Sequence, residues 1–318
     1  MTGTPELLRR LPLSGPLDLA RTLGLHRRSS ADPSMVVRFD GLWRASRTPV
    51  GPATLVLSQR DGVLTGRAWG PGADWTLDGL PLLVGETEAE RAAWAELDLT
   101  RVPHLAEVRR TRAGVHLSGT RLVLEALVPG CLEQRVTGGE AWRAWRGLLR
   151  RFGEPAPVPA ARADAPELWL MPAPSDLLAI PTWEWHRLGV DSQRYRSIRA
   201  AGTVARRLEE SVSLALSGDP ASASRRLRVV PGVGEWTAAE VALRAWADPD
   251  AVSVGDFHLK NLVGYALAGA VRTTDETMLE LLAPWRGHRA RIVRLIELSG
   301  RTPQKFGPRF SPNDIRAI

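Results

Sequence analysis

The stretch that most restricts this chain is VVPGVGEWTAAEV, residues 229–241. Pro231 lacks a donor N–H and restricts the residue before it, so it ends a helix that runs to about Val229. Gly232 and Gly234 allow positive φ and close approach to the backbone. A second helix then begins near Glu235, with Trp236, Ala239, Leu243 and Trp246 along one stripe. A helix start leaves N–H groups unpaired and carries partial positive charge. A turn kept clear by glycines can therefore seat a phosphate on its backbone. The same turn is equally an ordinary junction between two packed helices, and the stretch alone does not choose between these readings.

Charge bears on the choice without deciding it. The 318 residues carry 42 Lys and Arg against 35 Asp and Glu, a net charge of +7. Lys260 and Lys305 are the only lysines. A biased genomic base composition accounts for arginine over lysine but not for the excess over acids, which points to a polyanion, most often nucleic acid. Arg225, Arg226 and Arg228 stand just before the turn. Cys131 is the sole cysteine, which excludes an intrachain disulfide and a four-cysteine zinc or iron–sulfur site. The six histidines are scattered without an H-x-x-x-H pattern, and no metal site is expected. No apolar run reaches the ~18 residues of a membrane span, and the N-terminal residues lack the apolar core of a signal peptide. The expectation is a cytoplasmic protein, associated with the nucleoid when bound to DNA, with no membrane partner.

The length favours two domains. Residues 1–34 read as a loose leader, and 35–118 as a β-rich N-terminal domain. In the latter, Asp61-Gly62 sits between two apolar runs as a hairpin turn requires, and covering helices are expected at 86–97 and 103–110. From 119 to 302 the pattern is helical, and 303–318 reads as an irregular tail. Thr137 and Glu140 form a T-x-x-E capping box before AWRAWRGLLRRF, whose Trp142 and Trp145 are expected in the core. Residues 153–174 are Pro/Ala-rich and read as a loop or meandering linker. Ser175 can cap a short helix through Ala179, and further helices are expected at 192–216, 221–229, 235–247, 257–268, 275–282 and 288–299. The fold class is α+β, a mostly helical domain behind a small antiparallel sheet.

Twenty-two residues after Gly234, the segment AVSVGDFHLKNL places Asp256 at the entrance to another helix. An acid there is a normal N-cap, and equally a carboxylate presented beside a cleft near the phosphate-binding turn. At this point LRVVPGVGEWTAAEVALRAW and VSVGDFHLKNL resemble the helix–hairpin–helix DNA glycosylase superfamily, most closely its DNA-3-methyladenine glycosylase II branch. LVPGCLEQRVTGGEAWRAWRGLLRRFG, IPTWEWHRLGVDSQRYRSIRAAG and LLAPWRGHRARIVRLIE resemble further helices of that core. The likeness covers about 119–300, and 35–110 is more loosely similar to the branch's N-terminal domain.

The resemblance implies a monomer that binds duplex DNA containing damaged bases and flips the target nucleotide into a pocket. Asp256 would carry the chemistry. Gly232, Val233, Gly234, Thr237, Arg228 and Lys260 would contact DNA. Trp236, Gln134, Trp185 and Trp285 would form the base pocket, or in part simply pack. Strand-cutting members carry a lysine nucleophile where this chain has Trp236, so the resemblance implies a monofunctional enzyme that releases alkylated purines and leaves an abasic site. The implied cofactor list holds no iron–sulfur cluster, only a monovalent cation at the hairpin. A residue filling the gap left by the flipped base is expected around Leu168 or Leu170. The alternatives are a glycosylase for deaminated or oxidised purines and a non-catalytic, structure-specific DNA-binding protein.

Overall fold

The structure is a computed structural model and describes residues 5–158, 162, 164–304 and 315–317. Five antiparallel strands form the N-terminal sheet: β1 (Leu7–Pro12), β2 (Met35–Arg38), β3 (Gly41–Thr48), β4 (Gly51–Arg60) and β5 (Val63–Trp69), in the order β1-β5-β4-β3-β2. Asp61 and Gly62 turn β4 into β5 with φ of 49° and 73°, the pair of left-handed residues a two-residue hairpin needs. Side-chain alternation then sorts the faces. Leu42, Leu55, Leu57 and Leu64 pack beneath helices Ala73–Asp78 and Leu80–Val84. Trp43, Val56 and Trp69 face the other way, the two rings stacked 5.7 Å apart.

Two expectations about this half are corrected. The leader expected over 1–34 is not loose within its described residues 5–34, because Leu7–Pro12 pairs along its whole length with β5, and Leu19–Leu23 is a helix capped by Asp18. The edge strand escaped notice because it is exposed on nearly every residue, so its sequence lacks the alternation that reveals a half-buried strand. The helices expected to cover the sheet, Glu88–Glu96 and Pro103–Thr111, instead pack with the last three helices, Leu259–Ala268, Asp275–Leu282 and Arg289–Leu298. A buried ion pair between Glu90 and Arg291 ties the two groups, and Glu90 also accepts from Trp94 Nε1 at 2.7 Å. A boundary near residue 118 therefore cuts through a shared core.

The second core surrounds helix Val123–Leu132, buried on every residue but Glu125. The capping box forms as expected, with Thr137 N donating to Glu140 Oε2 at 2.9 Å, and starts helix Gly138–Phe152. Trp145 is buried and donates to Asp32 Oδ1 at 3.1 Å, whereas Trp142, near the helix start at the edge of the stripe that Trp145, Leu148 and Leu149 define, is 39% exposed. The run 192–216 splits into Ser192–Thr203 and Ala205–Leu216 at Val204. From the latter, Glu209 accepts the amides of Val123 and Leu124, both at 2.8 Å, and caps the central helix. The short helix Pro174–Ala179 starts one residue before Ser175 and has Ala173 at its N-cap, because Pro174 supplies the fixed φ of a first helical position.

The Pro/Ala-rich segment is not merely a linker. Glu154–Pro155 pairs with Trp169–Leu170, and Leu168 and Leu170 are buried against Trp43 and Trp69 of the sheet. Both leucines are thus unable to enter a DNA stack, and their expected gap-filling role is withdrawn. The tail forms a 3-10 turn at Ile315–Ala317, and residues 305–314 of it lie outside the described residues. Among the described residues, no helix is long and apolar enough to cross a membrane.

Candidate active site

The hairpin joins helix Pro220–Leu227 to helix Glu235–Ala245, close to where sequence placed them. Val230 and Val233 are buried and root the turn, which Val233 N closes on Val230 O at 3.0 Å. Gly232 has φ +83°, and a Cβ there would collide with Ser197 Oγ. Gly234 is the N-cap and offers no side chain, while the first intrahelical bond of the turn runs from Ala238 N to Gly234 O. The amides of Glu235, Trp236 and Thr237 are therefore the donors that helix geometry leaves at the open end.

Gln134 reaches this turn from the end of the central helix. Its Nε2 donates to Gly232 O and to Thr237 Oγ1, each at 2.9 Å. This makes Gln134 a brace of the hairpin rather than a wall of a base pocket. Val233 and Thr237, expected on DNA, turn their side chains inward, so Thr237 offers DNA only its amide. Arg228 is exposed and pairs with Glu235 at 3.3 Å. Arg225 bonds Ser222 Oγ and Arg226 lies 3.4 Å from Glu210, so neither is committed to a buried partner.

Asp256 is half-buried and held from three sides. Its Oδ1 accepts the amides of His258 at 2.7 Å and Leu259 at 2.8 Å at the entrance to helix Leu259–Ala268, whose N-cap is His258 and not Asp256, and Oδ2 accepts Trp236 Nε1 at 3.1 Å. The loop before it is pinned by Asp275, whose Oδ1 accepts Gly255 N at 3.0 Å and whose Oδ2 pairs with Lys260 Nζ at 2.9 Å. Lys260 is thus spent on the loop and is withdrawn as a DNA contact. Gly255 makes the bend with φ +88°.

Asp256 opens onto a cavity of about 290 Å³ between the hairpin's second helix, the last helix and residues Leu25 and Leu117 of the N-terminal part. The last helix is fixed in place by Asp250, which accepts Arg289 Nε at 2.8 Å and Nη2 at 2.6 Å. None of the three tryptophans expected in the base pocket lines this cavity: Trp236 holds Asp256 through its indole N–H, and the other two are elsewhere. Trp185 is fully buried in the helical core, 6.3 Å from Tyr195 in a stacked pair. Trp285 is buried in the other core and donates to Asp98 O at 2.7 Å. In their place sequence reasoning missed Glu240, whose four-residue spacing from Trp236 was the available signal.

Cys131 is no alternative nucleophile, since burial pushes its thiol up to about 12. The described residues hold no group of His, Cys, Asp and Glu that could bind a metal ion. The carbonyls of Val230 and Gly232 each already accept one protein donor, which leaves a second lone pair on each for the monovalent cation that the resemblance implies.

A glycine-flanked turn, a carboxylate at the entrance to the following helix and a cavity beside it can be set against known proteins. The chain is 26% identical over 184 residues to DNA-3-methyladenine glycosylase 2 of Escherichia coli (strain K12), a match covering 58% of this chain. It spans 61% of the length of that curated relative. The 3-methyladenine DNA-glycosylase from Archaeoglobus fulgidus superposes with a TM-score of 0.74 at 15% identity, over 92% of this chain and 98% of that one. The chain has the helix–hairpin–helix DNA glycosylase fold. An 8-oxoguanine glycosylase/lyase of Clostridium acetobutylicum shares that fold in its apo form, with a TM-score of 0.69 at 10% identity over 93% of this chain and 98% of that one. The glycosylase fold thus embraces proteins named for different lesions, and no family model matches this chain.

Proposed function

We propose that the protein is a monofunctional DNA glycosylase that removes alkylated purines of the 3-methyladenine and 7-methylguanine type from duplex DNA, leaving an abasic site. The observation that carries this is the Asp256 carboxylate, fixed by Trp236 Nε1 and two amides at the mouth of a cavity of about 290 Å³ beside the open hairpin. The 26% identical relative named for 3-methyladenine supports the substrate class.

The hairpin amides would hold a backbone phosphate, which positions the duplex without reading its bases. The damaged nucleotide would turn out of the stack at a cost of about a few kcal/mol. As the bond from C1′ to the base nitrogen breaks, the sugar gains positive charge, which the Asp256 carboxylate faces and stabilises. Water adds to C1′ and gives up a proton through Asp256 to solvent. An alkylated purine is cationic and departs as a neutral base, so it needs little protonation. Strand cleavage through a Schiff base would need a free amine. Among the described residues the single lysine, Lys260, is tied to Asp275, and position 236 carries an indole.

Chromatography of bases released from alkylated duplex DNA, with nicking scored in parallel, tests the reading. The expected result is release of methylated purines without nicking. Asp256→Asn should lower release by about a hundredfold or more while duplex binding is kept. Release at the wild-type rate by that variant would remove Asp256 from the chemistry. Release of hypoxanthine or 8-oxoguanine alone would reassign the substrate, and binding without any release would leave a DNA-binding protein.

A further inference from the structure

We propose that Glu240 is the specificity-determining residue of the cavity, selecting purines that carry positive charge and hydrogen-bond donors; this rests on the reading that Asp256 acts on a base held there. Helix Glu235–Ala245 places Glu240 one turn after Trp236, and the side chain is 14% exposed and lines the same cavity as Asp256. Its Oε1 accepts Ser253 Oγ at 2.5 Å and Oε2 accepts Arg244 Nη1 at 2.5 Å. Those two donors fix the carboxylate and leave each oxygen a further lone pair for a ligand.

The rest of the lining narrows the choice of ligand. The cavity has three carboxylates, Asp256, Glu240 and Glu297, against two guanidiniums, Arg244 and Arg294. Both guanidiniums are turned to the protein. Arg244 Nε donates to Leu25 O at 3.1 Å, and Arg294 donates to Arg21 O at 2.8 Å and to Glu297 at 3.0 Å. The remaining walls are mostly apolar, Leu25, Leu117, Leu243 and Leu259 among them, and His258 supplies the one ring, with no Trp, Tyr or Phe in the lining. The electron-rich indole or phenyl face that favours a cation is therefore lacking there, and a carboxylate beside apolar walls interacts more strongly with a cation than it would in water. N-alkylation of a purine supplies that charge. The N1–H and amino group of an alkylated guanine supply donors for the two oxygens.

The test compares wild-type protein with Glu240→Gln, which keeps the side chain's shape. Excision of 7-methylguanine and of hypoxanthine is measured in duplexes of one sequence. The 7-methylguanine to hypoxanthine ratio of kcat/KM is expected to fall about tenfold or more in the variant, and Glu240→Asp is expected to restore part of it. An unchanged ratio, whether both rates fall or neither does, overturns the proposal. A second arm measures binding of the nucleosides 7-methylguanosine and guanosine by calorimetry. Wild-type preference for the cation, lost in Glu240→Gln, supports the proposal even if no base is excised and the enzymatic reading has failed. No preference in the wild type overturns it.

Discussion

The indole N–H of Trp236 donates to Asp256 Oδ2 at 3.1 Å, so the first turn of the hairpin's second helix grips the carboxylate that the next helix presents. Hairpin and carboxylate are thereby one mechanical unit. A ring without the N–H would leave the packing but free one carboxylate oxygen. A hydrogen bond to a charged group contributes about 1.5–3 kcal/mol, so Trp236→Phe is expected to lower kcat by about 10- to 100-fold with duplex affinity retained. Single-turnover kinetics and a binding titration check this. A loss of affinity with unchanged kcat would instead make Trp236 a DNA contact.

Gly232 stands at φ +83° with Ser197 Oγ where a Cβ would go, whereas Gly269 stands at φ +69° with nothing within 4 Å. Both pay the left-handed strain when substituted, about 1–2 kcal/mol, but only Gly232→Ala also displaces the turn. Gly232→Ala is expected to weaken binding to undamaged and damaged duplex alike by about tenfold, since phosphate contacts carry no sequence information. Gly269→Ala should lower the melting temperature without that loss. Equal affinities for the two variants would detach the hairpin from DNA.

Burial pushes the Glu209 carboxyl up to about 7, against the opposing amides of Leu124 and Val123. A folded-state value above the unfolded one means that the native state binds the extra proton, so this group's contribution to stability falls as pH rises from about 4.5 to about 7. Glu209→Gln removes that titration. The stability difference between variant and wild type is expected to change in the variant's favour by up to about 3 kcal/mol across the window. Denaturant unfolding at a series of pH values checks this, and parallel curves would refute it.

Local signals were legible in the sequence. Asp61-Gly62 and Thr137 with Glu140 each need only a few neighbouring residues to define their geometry, and each forms as read, as does the positive φ of Gly232. Partnerships across the chain were not legible. Trp185 and Trp285 have the composition of a base pocket, yet a large aromatic suits a core equally well, and only the packing of distant helices decides. Glu240 failed to stand out because Glu and Arg four apart on a helix is the signature of a solvated face. Leu7–Pro12 and the Leu168–Leu170 contact depend on a sheet whose surface exists only after folding.

Leu25 and Glu297 line one cavity although nearly the whole chain separates them. During synthesis the hairpin and Asp256 emerge before the last helix, so both are made before the chamber beside them is walled. Such long-range closure is slow, since the loop entropy is lost before its contacts form. It also makes the chamber a late checkpoint: the compartment next to Asp256 stays open until residues 290–297 dock.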